Sequence, residues 1–176
     1  MIRLHNVSKR FQTHGVQKVV ADRLSMTFPK GSAVALLGRN GAGKSSLLKM
    51  IAGTMQPDRG QIEIAGTVSW PVGLSQSFHV DLTGLQNTRF VARIYGVDSD
   101  RLEEFVLSFS ELGDHFFLPF RTYSQGMRAR LGFALSMGIG FDTYLIDEVT
   151  AVGDAAFRET CEAALTARLT TRGAVI

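Results

Sequence analysis

Gly38-Arg39-Asn40-Gly41-Ala42-Gly43-Lys44-Ser45 is the stretch on which the reading of this chain turns. It satisfies G-x-x-x-x-G-K-[ST] at every fixed position. Glycines let the backbone turn successive N–H groups inward around phosphate oxygens, and a side chain at Gly41 or Gly43 would block that approach. A helix opening near Gly43 points its positive dipole end at the same oxygens. Lys44 places a point charge on the outer phosphates and the Ser45 hydroxyl ligates Mg²⁺. Arg39, Asn40, Ala42 and Ser46 complete the expected contact set. The flanks agree with this. Ala33-Val34-Ala35-Leu36-Leu37 is a short apolar run that reads as a strand buried on both faces. From Lys44 the period changes: Leu47 with Ile51 and Leu48 with Ala52 sit four apart, and Gly53 stops the helix.

Working outward, the N-terminal third alternates. Ile2 and Leu4 have polar neighbours, as do Leu24, Met26 and Phe28 before the Pro29-Lys30-Gly31 turn. Pro57 to Gly60 is a turn, and Gln61-Ile62-Glu63-Ile64 alternates again. Leu82 to Met137 reads mostly as helices, broken near Gly96 to Asp100 and near Leu118 to Ser124. Tyr144-Leu145-Ile146 is a buried strand, and Ala174-Val175-Ile176 looks like the start of another. The chain has 176 residues, 45% of them hydrophobic and 20% charged, which suits one soluble α/β domain with an insertion. A formal charge of +3 is too mild to argue for nucleic acid. The single cysteine, Cys161, rules out an intrachain disulfide and fits a reducing compartment. The longest apolar stretch, Leu131 to Phe141, is about half a membrane span.

A metal carboxylate is then expected from a neighbouring strand. Thr143 to Ile146 delivers Asp147 at its C-terminal end, where ligands bind in open α/β sheets. Asp147 is expected to hold Mg²⁺, largely through water, and Glu148 to polarise the attacking water as a general base. Loop and acids together predict a Mg-dependent nucleotide triphosphatase. His79 and His115 have no second ligand at i+3 or i+4 and read as surface histidines.

Tyr123-Ser124-Gln125-Gly126-Met127 precedes Asp147, and here the chain resembles the ATP-binding cassette family, whose signature Leu-Ser-Gly-Gly-Gln opens a helix. Ser124 and Gly126 match that pattern; Tyr123, Gln125 and Met127 depart from it. The resemblance implies a P-loop NTPase (RecA-like) α/β core over 1–81 and 139–176, with N-terminal antiparallel strands. A helical signature subdomain is inserted over 82–138. It also implies ATP and Mg²⁺ as cofactors and a homodimer in which Ser124 and Gly126 serve the nucleotide of the second subunit. Phe11 matches the aromatic that stacks on adenine, the alternative being a core residue at a strand end. Asp154 matches a loop that crosses the dimer interface, and Gln76 is the one candidate for the family's glutamine loop.

Over essentially the whole chain the resemblance is to the ATPase subunit of bacterial capsular polysaccharide exporters. Ser69-Trp70-Pro71-Val72-Gly73-Leu74, Phe90-Val91-Ala92-Arg93 and Asp147-Glu148-Val149-Thr150-Ala151-Val152-Gly153-Asp154 carry it. This implies an ATPase peripheral to the cytoplasmic face of the inner membrane, docked on a permease through Trp70 to Arg93. Trp70 and Phe78, large apolar groups beside a loop, are the candidate anchors, the alternative being that both pack on the helical insertion. Alternatives are an O-antigen or teichoic acid exporter, a cassette ATPase outside transport, and a non-hydrolysing regulator. All four histidines precede Asp147, so none can act as the family's switch histidine. On that ground the chain reads as an N-terminal fragment, with Ala174 to Ile176 as an exposed sheet edge.

Overall fold

The structure, a computed structural model, describes residues 1–13, 15–72, 78–147, 155–169 and 173–175. The chain divides into two compact units, one of Met1–Pro71, Phe141–Asp147 and Arg168–Ile176, the other of Val72–Gly140 and Glu148–Ala167.

The first unit carries two sheets. β1 (Ile2–Thr13) pairs antiparallel with β2 (Val16–Phe28), and its other edge pairs antiparallel with β4 (Arg59–Ile64). Cross-strand partners run from Ile2↔Phe28 at one end to Phe11↔Lys18 near the hairpin. The second sheet has the order β3 (Ala33–Val34), β7 (Gly173–Val175), β6 (Thr143–Ile146), β5 (Val68–Val72), with β3, β7 and β6 parallel. Helix α1 (Lys44–Ile51) follows the glycine loop. Its apolar stripe supplies Leu48, Met50 and Ile51 to a core shared with Ile2, Leu4, Val7, Phe28 and Leu145. Period-2 and period-4 patterns thus meet in one apolar interior.

Two expectations about this sheet are corrected. The strand before the glycine loop is not buried on both faces. It is an edge strand whose ladder covers only Ala33↔Ala174 and Val34↔Val175, and Leu37 beyond it is 94% exposed. Only the Val34 and Leu36 side packs on the core. Conversely, Ala174 and Val175 form no edge, because β7 is hydrogen-bonded to β3 on one side and to β6 on the other. The acid-bearing strand β6 is therefore one strand removed from β3, not its neighbour.

The second unit is helical: α2 (Gly84–Tyr95), α3 (Ser99–Ser110), α4 (Gln125–Ile139) and α5 (Ala155–Leu169), with 3-10 turns at Gly113–Phe117 and Phe120–Thr122. Thr83 and Gln86 form a reciprocal capping box on α2, and the Asp98 carboxylate caps α3. Gly96, at φ 65, ends α2 in the left-handed region. Phe109, Phe133 and Phe157 bring α3, α4 and α5 together, with ring centroids 5.9 to 6.4 Å apart. Phe157, Cys161 and Leu165, four apart on α5, are all buried. Burial pushes the Cys161 thiol up to about 12, so it is an inert core group rather than a nucleophile.

Candidate functional site

The glycine loop is closed by its own backbone. Ala42 N–H donates to Arg39 C=O at 3.0 Å, and Leu47 N–H begins the α1 ladder by donating to Gly43 C=O at 2.9 Å. Gly43 caps the helix at φ 106, a conformation that penalises any L side chain. A Cβ there would also overlap Val20 on β2. The first turn of α1 contains no acid, so its positive end is left for a ligand. Lys44 Nζ donates to the carbonyls of Gly38 at 2.7 Å and Arg39 at 3.3 Å. A phosphate would replace these neutral acceptors by anionic ones, which form roughly twice as strong a bond.

Phe11 lies on β1 opposite Lys18, its ring partly exposed and 5.6 Å from Lys9 Nζ. Lys9 is itself held by Asp58 at 2.8 Å, and the same carboxylate accepts the Arg10 N–H at 2.7 Å. These two bonds, the Lys9 ammonium first, keep Asp58 below the ordinary carboxylate range. Asp147 follows β6 directly and is partly buried. The entry to β6 is clamped by Asp142, which accepts from Thr67 N–H at 2.9 Å and Thr67 Oγ1 at 3.1 Å. Ser69 Oγ then accepts the Leu145 N–H at 2.9 Å. Polar bonds thus fix the strand that ends in the acid. Glu148, Gln76 and Asp154 lie outside the described residues.

Ser124 is the N-cap of α4, with Oγ accepting the Met127 N–H at 3.2 Å. Gly126 sits in the first turn, which again holds no acid. Arg128 steadies the approach by donating to the carbonyls of Tyr123 at 3.1 Å and Arg121 at 3.4 Å. Tyr123, which departs from the leucine of the family signature, is buried and donates its hydroxyl to His115 C=O at 2.8 Å. The Gly84 N–H at the start of α2 faces the same phenol oxygen, and a Cβ on Gly84 would overlap it. Burial pushes the phenol up to about 12. Sequence reasoning missed this lock, and it missed Lys18 and Val20 beside the glycine loop. Alternation along β2 was the available signal, but the hairpin register is needed to aim it.

The two aromatic anchors are corrected. Phe78 is buried and meets Phe120 edge to face at 5.3 Å, while Trp70 is half-buried with Phe141 at 5.4 Å. Among the described residues, the exposed large apolar side chains of this region are Val80 and Phe90, with Ile94 just beyond it. His79 and His115 are exposed, as expected. Among the described residues there is no cluster of three metal-ligating side chains, and no helix is long and apolar enough to cross a membrane.

Residues 21–151 match the protein-family model described as ABC transporter. The polysialic acid transport ATP-binding protein KpsT of Escherichia coli is 51% identical over 92% of this chain and 73% of its own length. The capsule polysaccharide export ATP-binding protein CtrD of Neisseria meningitidis serogroup B is 46% identical over 92% of this chain and 75% of its own. The O-antigen export system ATP-binding protein RfbB of Klebsiella pneumoniae is 41% identical over 84% and 61%. Among solved structures, a dimeric post-hydrolysis ATP-binding cassette bound to ADP and Pi superposes with a TM-score of 0.82, at 19% identity, over 99% of this chain and 87% of that one.

Proposed function

The chain belongs to the ABC transporter family, and from that premise we propose that it is the ATP-hydrolysing subunit of a capsular polysaccharide exporter in a bacterial inner membrane. One observation carries the choice of cargo: identity is 46–51% over 92% of the chain to relatives named for polysialic acid or capsule export, and falls to 41% over 84% for the O-antigen relative. The parallel sheet and glycine loop described above are consistent with an ATPase core.

Ser45 and Asp147 are hard oxygen donors, suited to Mg²⁺ and too few to cage it without phosphate and water. They are the residues that would hold the ion, which supplies charge neutralisation between the outer phosphates when bound. The loop N–H groups and the α1 N-terminus bind the phosphate chain, and Lys44 swings from Gly38 and Arg39 C=O onto its outer oxygens. Glu148 takes a proton from the attacking water, and Phe11 stacks on the base. Ser124 and Gly126 offer a second helix N-terminus to the nucleotide held by the partner in a homodimer. The chain is peripheral to the cytoplasmic face and docks on the permease through the surface around Val80, Gln86, Phe90 and Ile94. The expected anchors Trp70 and Phe78 give way to these exposed side chains.

Single cysteines at Val80, Gln86, Phe90 and Ile94 test the docking in cells that hold the exporter's permease. The expected result is crosslinking to the permease and loss of surface polysaccharide in a Glu148→Gln background. Crosslinks confined to other faces, or polysaccharide export that persists in that background, would overturn the assignment.

A further inference from the structure

We propose that Lys18 is a second phosphate-binding cation of the nucleotide site, delivered from β2 rather than from the glycine loop. The inference rests on the reading that this loop holds nucleotide phosphates, and it adds a residue that the loop pattern does not contain.

The geometry begins with the hairpin. The β1–β2 register slips between Ala21 and Val19, so Val20 is the unpaired residue of β2, two positions beyond Lys18. Both reach the loop. A Cβ on Gly43 would overlap Val20, and a Cβ on Gly41 would stand 3.4 Å from Lys18 Nζ. Val20 therefore braces the helix end of the loop while the Lys18 ammonium lies over its middle. Directly across β1 is Phe11, and opposed residues of an antiparallel pair also share a face. Lys18 thus joins the strand position of Phe11 to the loop at Gly41.

Charge points the same way. Lys9, on the neighbouring strand, is engaged by Asp58 at 2.8 Å. Lys18 is exposed, and no described carboxylate lies within ion-pair distance of it. Lys44 is taken up by the Gly38 and Arg39 carbonyls. Of the two ammoniums at the loop, one is bound to the backbone and the other stands open over a glycine whose φ of 78 suits a phosphate cradle. An anion in that cradle lies within reach of the Lys18 stem. A flexible, solvated ammonium adds a modest, salt-sensitive increment, about 3- to 10-fold in affinity at low ionic strength.

ATP and ADP titrations at low and at high salt decide the matter, with the parent, Lys18→Gln, Lys18→Arg and Lys44→Ala chains compared. Lys18→Gln should weaken both nucleotides by about 3- to 10-fold at low salt, the gap closing at high salt, and Lys18→Arg should hold within about 2-fold of the parent. Parental affinity in Lys18→Gln, with binding lost in Lys44→Ala, would overturn the role of Lys18 and leave the site standing. So would a loss that is the same at both salts or that arginine does not restore, since packing rather than charge would then be at work. Parental affinity in Lys44→Ala would bring down the nucleotide site itself, and the Lys18 inference with it.

Discussion

Gly43 and Gly126 both stand at helix starts that bear no acid, yet the chain needs them for opposite reasons. Gly43 has φ 106 and would drive a Cβ into Val20. Gly126 is helical, and the nearest atom to an added Cβ is Ser124 Oγ at 3.9 Å, ordinary van der Waals contact. The first glycine is demanded by the chain's own fold. The second is demanded by nothing described within the chain, which fits the proposed role toward a partner's nucleotide. A vacancy that the fold does not need is a stronger pointer to an intermolecular contact than a glycine that local strain already explains.

The widest separation between the two regions should appear in turnover. If, as proposed, the glycine loop binds and the acids act, Glu148→Gln should keep ATP affinity while steady-state hydrolysis drops by about 10²-fold or more, the order for losing a general base. Hydrolysis near the parental rate would move the base elsewhere and dissolve the division between binding loop and acid. Next in size is Gly43→Ala. Strain at positive φ together with the overlap on Val20 should cost about 2 kcal/mol or more in chemical denaturation and abolish nucleotide binding. If the variant unfolds at the parental midpoint, the loop is not self-constrained and the contrast with Gly126 fails.

Those two expectations were within reach of the sequence because the relevant physics is local. Glycines, a lysine and a helix period lie within one short stretch, and Asp147 ends an apolar run. Strand order is not local. Nothing between Ala33 and Val175 says that β7 enters between β3 and β6, so local pattern alone puts the edge at the wrong strand. Helix α5 is local in the same sense, since Phe157, Cys161 and Leu165 stand four apart and are all buried. Exposure of the aromatics failed for the same non-local reason, since Phe120, far from Phe78 in sequence, is what covers it. Ser124 and Gly126 could be read, whereas the lock that aims them could not, because Tyr123 works through Gly84 and His115.

That lock is the third test. Tyr123→Phe keeps the ring but removes the donor to His115 C=O and the acceptor facing Gly84, a loss of about 1–2 kcal/mol of unfolding free energy in chemical denaturation. A pH series adds a signature that packing alone cannot give. The folded phenol titrates at about 12 against an unfolded value of 10.0, so its contribution is complete below pH 10.0 and is lost as pH rises toward 12. The parent should lose more stability than the phenylalanine variant across that window. Parallel curves would mean that the hydroxyl does not tie the signature segment to α2.

The smallest expected effect is the most telling for the comparison. Gly126→Ala should change unfolding stability by no more than about 0.5 kcal/mol, and in the stabilising direction if at all, because alanine favours a helix and finds open space there. Nothing described inside one chain then gives this substitution a reason to impair hydrolysis, yet in a sandwich dimer the added methyl meets the phosphates held by the partner. A chain carrying Gly126→Asp and a chain carrying Lys44→Ala are each defective in one half of every composite site. Mixed, they should rebuild one intact site of two and recover hydrolysis that neither shows alone. If Gly126→Ala destabilises as Gly43→Ala does, the vacancy is an internal requirement and the distinction between the glycines is lost. If it is stable and fully active, and the mixed dimers form without recovering hydrolysis, the open space beside Ser124 serves no nucleotide.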